Sequence, residues 1–178
     1  LLAKSEVGYK NLLKLSSYGY TEGFYYNPRI DKKLLEKYNE GLICLSACIA
    51  GEIPRFVLEG KQPEAEKLAL YYQSLFGKDS FFLEIQIYGM KEEAIVAKNL
   101  VAMSKKLQIP VVATNDCHYL KKGDAEAQDI LLCIGTKRKL SDPQRMKFHG
   151  DGFYFKSEEE MERIFKELPK ALSNTQLI

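Results

Sequence analysis

Histidine is scarce in this chain, with His118 and His149 the only two among 178 residues. Neither lies beside Cys48 in sequence, so that thiol has no evident local base to make it a nucleophile. The four cysteines, Cys44, Cys48, Cys117 and Cys133, form no Cys-x-x-Cys pair, and three sit in apolar segments, which argues against a disulfide framework. Glycine-rich phosphate loops are missing too. Gly19, Gly23 and Gly41 do not form Gly-x-Gly-x-x-Gly, and nothing matches Gly-x-x-x-x-Gly-Lys-Ser/Thr, which excludes nucleotide binding through a standard loop. No apolar run is long enough to span a bilayer, and Leu1-Leu2-Ala3-Lys4 lacks a signal-peptide layout, so the expectation is a cytoplasmic protein with no membrane partner. A strong charge of one sign is also lacking. Lys and Arg total 26 against 24 Asp and Glu, a net of +2, so any contact with DNA is local rather than surface-wide.

What is present is enough apolar residue, 46% of the chain, for one sizeable core or a large piece of a bigger one. Ser5 predicts an N-cap for a helix carrying Val7, Leu12, Leu13 and Leu15. The stretch from Tyr18 to Arg29 then reads as a turn-rich loop whose aromatics, Tyr18, Tyr20, Phe24, Tyr25 and Tyr26, are expected to pack over the body of the domain; a stacking platform for nucleic-acid bases is the functional alternative. Asp31 caps a short helix through Tyr38, Gly41 ends it, and Leu42 to Ser46 reads as a buried strand. Helices are predicted over Glu52 to Glu59 and, after Pro63, over Glu64 to Phe76. A strand from Phe81 to Gln86, a helix from Lys91 to Leu107 and a strand from Val111 to Thr114 follow. Continuous apolar strands alternating with helices predict a parallel sheet in an α/β fold, with helices over its faces. Beyond lie a helix over Ala125 to Ile134, the basic loop Lys137-Arg138-Lys139, the turn Asp142-Pro143, an extended Phe153-Tyr154-Phe155, and a capping box of Ser157 and Glu160 opening a helix from Glu158 to Leu168 that Pro169 breaks.

The segment with most chemistry is Ala113-Thr114-Asn115-Asp116-Cys117-His118-Tyr119. Side chains of an extended segment alternate, so Asp116 and His118 point the same way at a strand end. A carboxylate and an imidazole together suit zinc or manganese, although the same spacing fits a polar strand terminus. Cys48, in Leu45-Ser46-Ala47-Cys48-Ile49-Ala50-Gly51-Glu52, occupies a similar strand-to-helix turn, as a soft metal ligand or as a small residue packed beneath the turn. His149, in an exposed-looking loop, reads as a surface residue. Glu84 lies mid-strand, where a structural salt bridge is expected. The basic cluster, with Arg145 and Lys147 after it, reads as a solvated loop or a phosphate contact. Three strands are too few for a closed barrel, and the chain opens without a start methionine, which together read as the later part of a larger domain.

Four segments in register carry a more specific signal: Gly23-Phe24-Tyr25-Tyr26-Asn27-Pro28-Arg29-Ile30-Asp31, the Cys48 turn, Val112 to Tyr119, and Asp142-Pro143-Gln144-Arg145 with Phe153 to Met161. In this order they resemble the bacterial replicative DNA polymerase III alpha subunits, of the DnaE type, in their amino-terminal polymerase and histidinol phosphatase (PHP) domain. The resemblance implies part of a distorted (β/α)7 barrel truncated at its N-terminal side, with 1–135 as the C-terminal part of the PHP domain and 136–178 as a connection toward the polymerase core. It implies a parent that is a DNA-directed DNA polymerase, with DNA and deoxynucleotides as substrates and with a proofreading exonuclease and a sliding clamp as replisome partners. It also implies Cys48, Asp116 and His118 as ligands of zinc or manganese in a site that hydrolyses a phosphodiester at a DNA 3′ end, or else a scaffold that docks partners. The family's remaining PHP ligands fall upstream of residue 1. The polymerase's own aspartates and magnesium lie outside this chain, and the fragment alone is expected to be inactive. A free-standing PHP phosphoesterase is the third alternative.

Overall fold

The computed structural model describes residues 1–148 and 150–178; the reading of His149 lies outside them. Four strands form one sheet in the order β1-β2-β3-β4: β1 (Leu2–Ala3), β2 (Leu42–Leu45), β3 (Phe81–Ile85) and β4 (Val111–Ala113). The last three run parallel, with Leu45 beside Phe82 and Glu84 beside Val112, as their continuous apolar character predicts. The two-residue β1 pairs antiparallel to β2, an element too short for any periodicity to announce. The described residues form an open sheet and no closed (β/α)7 barrel.

Helix α1 (Glu6–Thr21) starts where Ser5 accepts the Gly8 amide and runs four residues into the stretch read as loop. It lies so close to the next turn that a Cβ on Gly8 would stand 1.8 Å from the Gly41 carbonyl oxygen, which only glycine avoids. Asn11 Nδ2, buried at that contact, donates to the Glu40 carbonyl at 3.0 Å. Helix α2 (Lys32–Lys37) is capped by Asp31, whose carboxylate accepts the Leu34 amide at 2.8 Å. Helices α3 (Glu52–Leu58), α4 (Gln62–Phe76) and α5 (Lys91–Leu107) form a layer over one face of the sheet.

The strand period of two assigns the two faces. Cys44, Phe81, Leu83, Ile85, Val111 and Ala113 point into the main core, where they meet Ile53, Val57, Leu68, Leu100 and Met103 from the three helices. On the opposite face Ile43, Phe82 and Val112 form a small cluster with Leu45, and among the described residues no helix residue joins it. Among them, the expected helical cover on both faces is therefore present on one. The chain later returns to the main core through α7 (Glu158–Ile164) and α8 (Pro169–Ser173), which bury Phe165 and Ala171. The predicted helix to Leu168 stops at Ile164, and Pro169 opens α8, because its fixed φ and missing N–H suit a first helical position. Between β4 and α7 lies α6 (Ala125–Thr136), in a segment that is otherwise largely irregular.

Two expectations fail, and of the clustered aromatics Tyr18 alone packs inward, stacking on Tyr38 at 5.8 Å. Tyr20, Phe24, Tyr25 and Tyr26 do not pack over the body but stand exposed. Among the described residues Glu84 makes no ion pair; its Oε1 accepts from the Thr114 hydroxyl at 2.5 Å and from the Gln86 amide at 3.1 Å, so neutral donors just past the ends of β4 and β3 satisfy it.

Candidate metal centre at the carboxyl edge of the sheet

Parallel β2, β3 and β4 present their carboxyl ends at one edge, and the candidate residues all leave from there. Asp116 and His118 follow β4 by three and five residues. His118 Nε2 stands 3.3 Å from Asp116 Oδ1, with both side chains partly open to solvent. Two donors held at about 2.1 Å from one tetrahedral zinc lie about 3.4 Å apart, so this spacing suits two ligands of a shared ion as well as a direct hydrogen bond.

Neighbouring residues hold that pair in place. The Tyr88 hydroxyl, on the loop after β3, accepts the Asp116 backbone N–H. Burial raises the Tyr88 phenol above its ordinary pKa, keeping it protonated and uncharged beside the carboxylate. The Tyr88 ring stacks on Phe153 at 4.6 Å between centroids. Phe153 in turn accepts the His118 backbone N–H on its carbonyl at 2.8 Å, and Tyr119 pairs with Tyr154 in a parallel bridge. The imidazole lies against Phe148 and Phe153, at 4.5 and 5.8 Å. Asn115 ties the two segments together: Nδ2 donates to the Tyr154 carbonyl at 2.7 Å, and Oδ1 accepts from Lys156 Nζ at 3.0 Å. Lys156 also sits over the rings of Tyr154 and Tyr88, at 4.6 and 5.2 Å, and desolvation there lowers its pKa. Glu93 anchors the loop that carries Tyr88. Its buried carboxylate accepts the amides of Tyr88, Gly89 and Met90 at 2.7 to 3.1 Å, the charge a helix N-terminus favours.

Sequence periodicity finds the extended Phe153 to Phe155 but not its partner strand. Asn115 and Lys156 fall inside the segments that carry the resemblance but with no role assigned, and Tyr88 and Phe148 have no local signal, because nothing in either stretch says which loop it meets.

Cys48 leaves β2, two strands from β4, which at about 4.8 Å per strand puts the strand ends about 10 Å apart. Its turn is tightly built. Ala47 adopts φ 67°, Gly51 donates to the Cys48 carbonyl at 2.8 Å, and a Cβ on Gly51 would stand 2.5 Å from the Ser46 carbonyl oxygen. The thiol is free and half-buried. No group of three or more His, Cys, Asp or Glu side chains able to hold an ion occurs among the described residues. Asp116 and His118 therefore come together and Cys48 does not join them, so the described residues supply part of a donor set and not a complete metal centre. The basic cluster Lys137-Arg138-Lys139 is exposed as expected, but Arg145 is not a solvated cation: its guanidinium pairs through both terminal nitrogens with the Asp129 carboxylate on α6, which lowers the Asp129 pKa. No helix among the described residues is long and apolar enough to cross a membrane.

Comparison with known proteins bears on the same edge of the sheet. Residues 1–87 match the PHP domain. Over 175 residues, 98% of this chain, the sequence is 54% identical to the DNA polymerase III subunit alpha of Borreliella burgdorferi, and 51% identical over the same length to that of Treponema pallidum. The chain is related to the DNA polymerase III alpha subunits. That of Deinococcus radiodurans is 47% identical over 92% of the chain. The chain spans about 15% of the length of the first two of these relatives and 12% of the third. The PHP match covers β1 to β3 and the Cys48 turn, while the similarity to the alpha subunits reaches through Asp116, His118 and the Phe153 segment to the last helices.

Proposed function

We propose that this chain is the PHP segment of a replicative DNA polymerase III alpha subunit, whose parent protein carries out DNA-directed DNA synthesis in the cytoplasm. The observation that carries the reading is sequence identity of 54% across 98% of the chain to an alpha subunit of which it spans 15%. In this reading the open sheet is one side of a PHP barrel of about seven strands. The face of Ile43, Phe82 and Val112, which among the described residues no helix residue joins, is the barrel interior, and residues 136–178 lead toward the polymerase core while α7 and α8 pack back on the body. For synthesis, DNA and deoxynucleotides meet the parent at a magnesium site outside this chain, and a proofreading exonuclease and the sliding clamp are its replisome partners.

Within that parent, Asp116 and His118 are two ligands of a zinc or manganese site at the carboxyl edge, the place where α/β folds gather functional loops. Cys48 is a third, meeting an ion held with donors that the rest of the barrel supplies. Such a site fits a 3′ to 5′ exonuclease, because bound ions activate water and neutralise charge on phosphate oxygens. The test is elemental analysis of the dialysed full-length protein beside its Asp116→Ala/His118→Ala variant. Loss of zinc or manganese in the variant is the expected result. Equal metal in both proteins removes these residues from the ligand set, and no metal in either leaves the segment a scaffold that docks partners.

A further inference from the structure

The metal-edge reading makes no use of the exposed aromatic loop that follows α1. Tyr20, Phe24 and Tyr25 are 57% to 64% exposed and Tyr26 is 81% exposed, so four large rings within seven residues meet solvent. Loose chain does not account for it. Tyr26 holds a left-handed conformation at φ 60°, and Tyr25 bridges to Asn27. A Cβ on Gly23 would stand 1.9 Å from the Arg29 carbonyl oxygen, so only glycine lets the two ends of the loop touch. Arg29 closes it, stacking its guanidinium 4.9 Å above the Tyr25 ring and donating to the Tyr25 carbonyl at 2.5 Å. Tyr20 stacks on Phe24 at 6.4 Å, and Tyr25 meets Tyr26 edge-on at 4.7 Å. The rings are thus held in place while exposed, and pre-organisation lowers the ordering cost of binding.

Charge beside the loop selects the occupant. Gly23 and Arg29 share an open cavity of about 630 Å³ with Lys33 and Lys37, which lie one helical turn apart on α2. Glu22 and Asp31 line it too, so three cations face two carboxylates and the lining carries a net charge of +1, with Asp31 turned to the α2 amide it caps. Exposed rings with basic side chains along one border are what single-stranded nucleic acid requires: bases stack on aromatic faces and the backbone runs over the cations. A chain of net charge +2 supports such a local contact without a basic surface overall.

We propose that the Tyr20–Arg29 loop and the adjoining face of α2 form a binding platform for a short stretch of single-stranded nucleic acid, with Tyr25 and Tyr26 stacking bases and Lys33 and Lys37 meeting phosphates. The assignment is independent of whether Asp116 and His118 hold a metal. The test is photo-crosslinking of the full-length protein to a single-stranded oligodeoxynucleotide carrying 5-iodouracil, with adducts mapped by mass spectrometry. An adduct within residues 20–29 is expected. Its yield falls at least fivefold in Phe24→Ala/Tyr26→Ala, is retained in Tyr26→Phe, and drops as salt rises. Because the two rings are exposed, circular dichroism of the double variant should match the parent and so separate lost binding from lost fold. Adducts confined to other regions, or a yield unchanged in the double variant, overturn the proposal and leave the rings to a protein partner. Primer extension by the same preparation separates that failure from failure of the polymerase assignment.

Discussion

The sheet with its helical layer and the excursion from Asn115 to Lys156 are held together by different forces. In the first, Phe81, Phe82, Leu83, Ile85, Leu100, Met103 and Val112 are almost wholly removed from water, and burial of apolar area holds the body. In the second, Cys133 and Phe153 are the only buried hydrophobics among the described residues, while Leu120, Leu131, Ile134 and Phe155 are exposed. Order there comes from specific polar links: Asn115 to Tyr154, Lys156 to Asn115, Arg145 to Asp129, and the His118 amide to Phe153. The candidate ligands sit where the two regimes meet. Asp116 and His118 leave three and five residues past the end of β4, and polar links of modest strength hold the segment that carries them, which allows the site to adjust without loosening the sheet.

Truncating a side chain in the body should therefore carry the largest cost. Leu100→Ala removes a fully buried side chain from the middle of α5 and should destabilise the protein by about 2–5 kcal/mol, read as a lower urea midpoint. A loss below about 1 kcal/mol would mean that the body is looser than its packing implies and would dissolve the contrast.

Next in size is an alkaline effect confined to the body. Burial pushes the Cys44 thiol from 9.0 up to about 11. Below pH 9 the thiol is protonated in both states and contributes nothing. Between pH 9 and about 11 the unfolded chain loses this proton while the folded chain keeps it, so stability falls as pH rises, by about 2 kcal/mol at the upper end. Tyr71, raised to about 12, acts in the same direction at higher pH. Urea unfolding at pH 8, 9.5 and 11 should show this decline, and Cys44→Ala should flatten it between pH 9 and 11. An equal slope in the variant would place the titration elsewhere.

What a sequence discloses follows the same boundary. The limits of α5 and the three parallel strands are readable because local periodicity and burial agree, with Lys91 and Leu107 falling at the ends of the predicted helix. The Asp116–His118 pair is readable because two residues on one strand end need no tertiary information to share a direction. Cys48, Tyr88 and Lys156 reach the edge from three other loops, and nothing local states how far apart those loops stand. Glu84 shows the limit most clearly: a charge in a strand predicts a partner, but whether that partner is an ion or the hydroxyl of Thr114 depends on the register of β3 with β4. The exposed rings of the Tyr20–Arg29 loop fail the opposite way, since clustering of aromatics predicts burial only when no external ligand is to be met.

The smallest effect tests the excursion on its own terms. Asn115 bonds both the Tyr154 carbonyl and Lys156, so Asn115→Ala releases two bonds between segments 39 and 41 residues apart in sequence. A net value of about 1 kcal/mol per bond, partly recovered by water at this half-exposed position, gives a loss of about 1–2 kcal/mol. If the two regions are energetically separate, that loss appears as faster hydrogen exchange at the amides of His118, Tyr119 and Phe155, which bond across the same seam, while exchange at Leu83 and other core amides is unchanged. Uniform acceleration through β3 and α5 would instead make the excursion part of the same cooperative unit as the sheet, and the Asp116–His118 edge would then be as rigid as the strands that carry it.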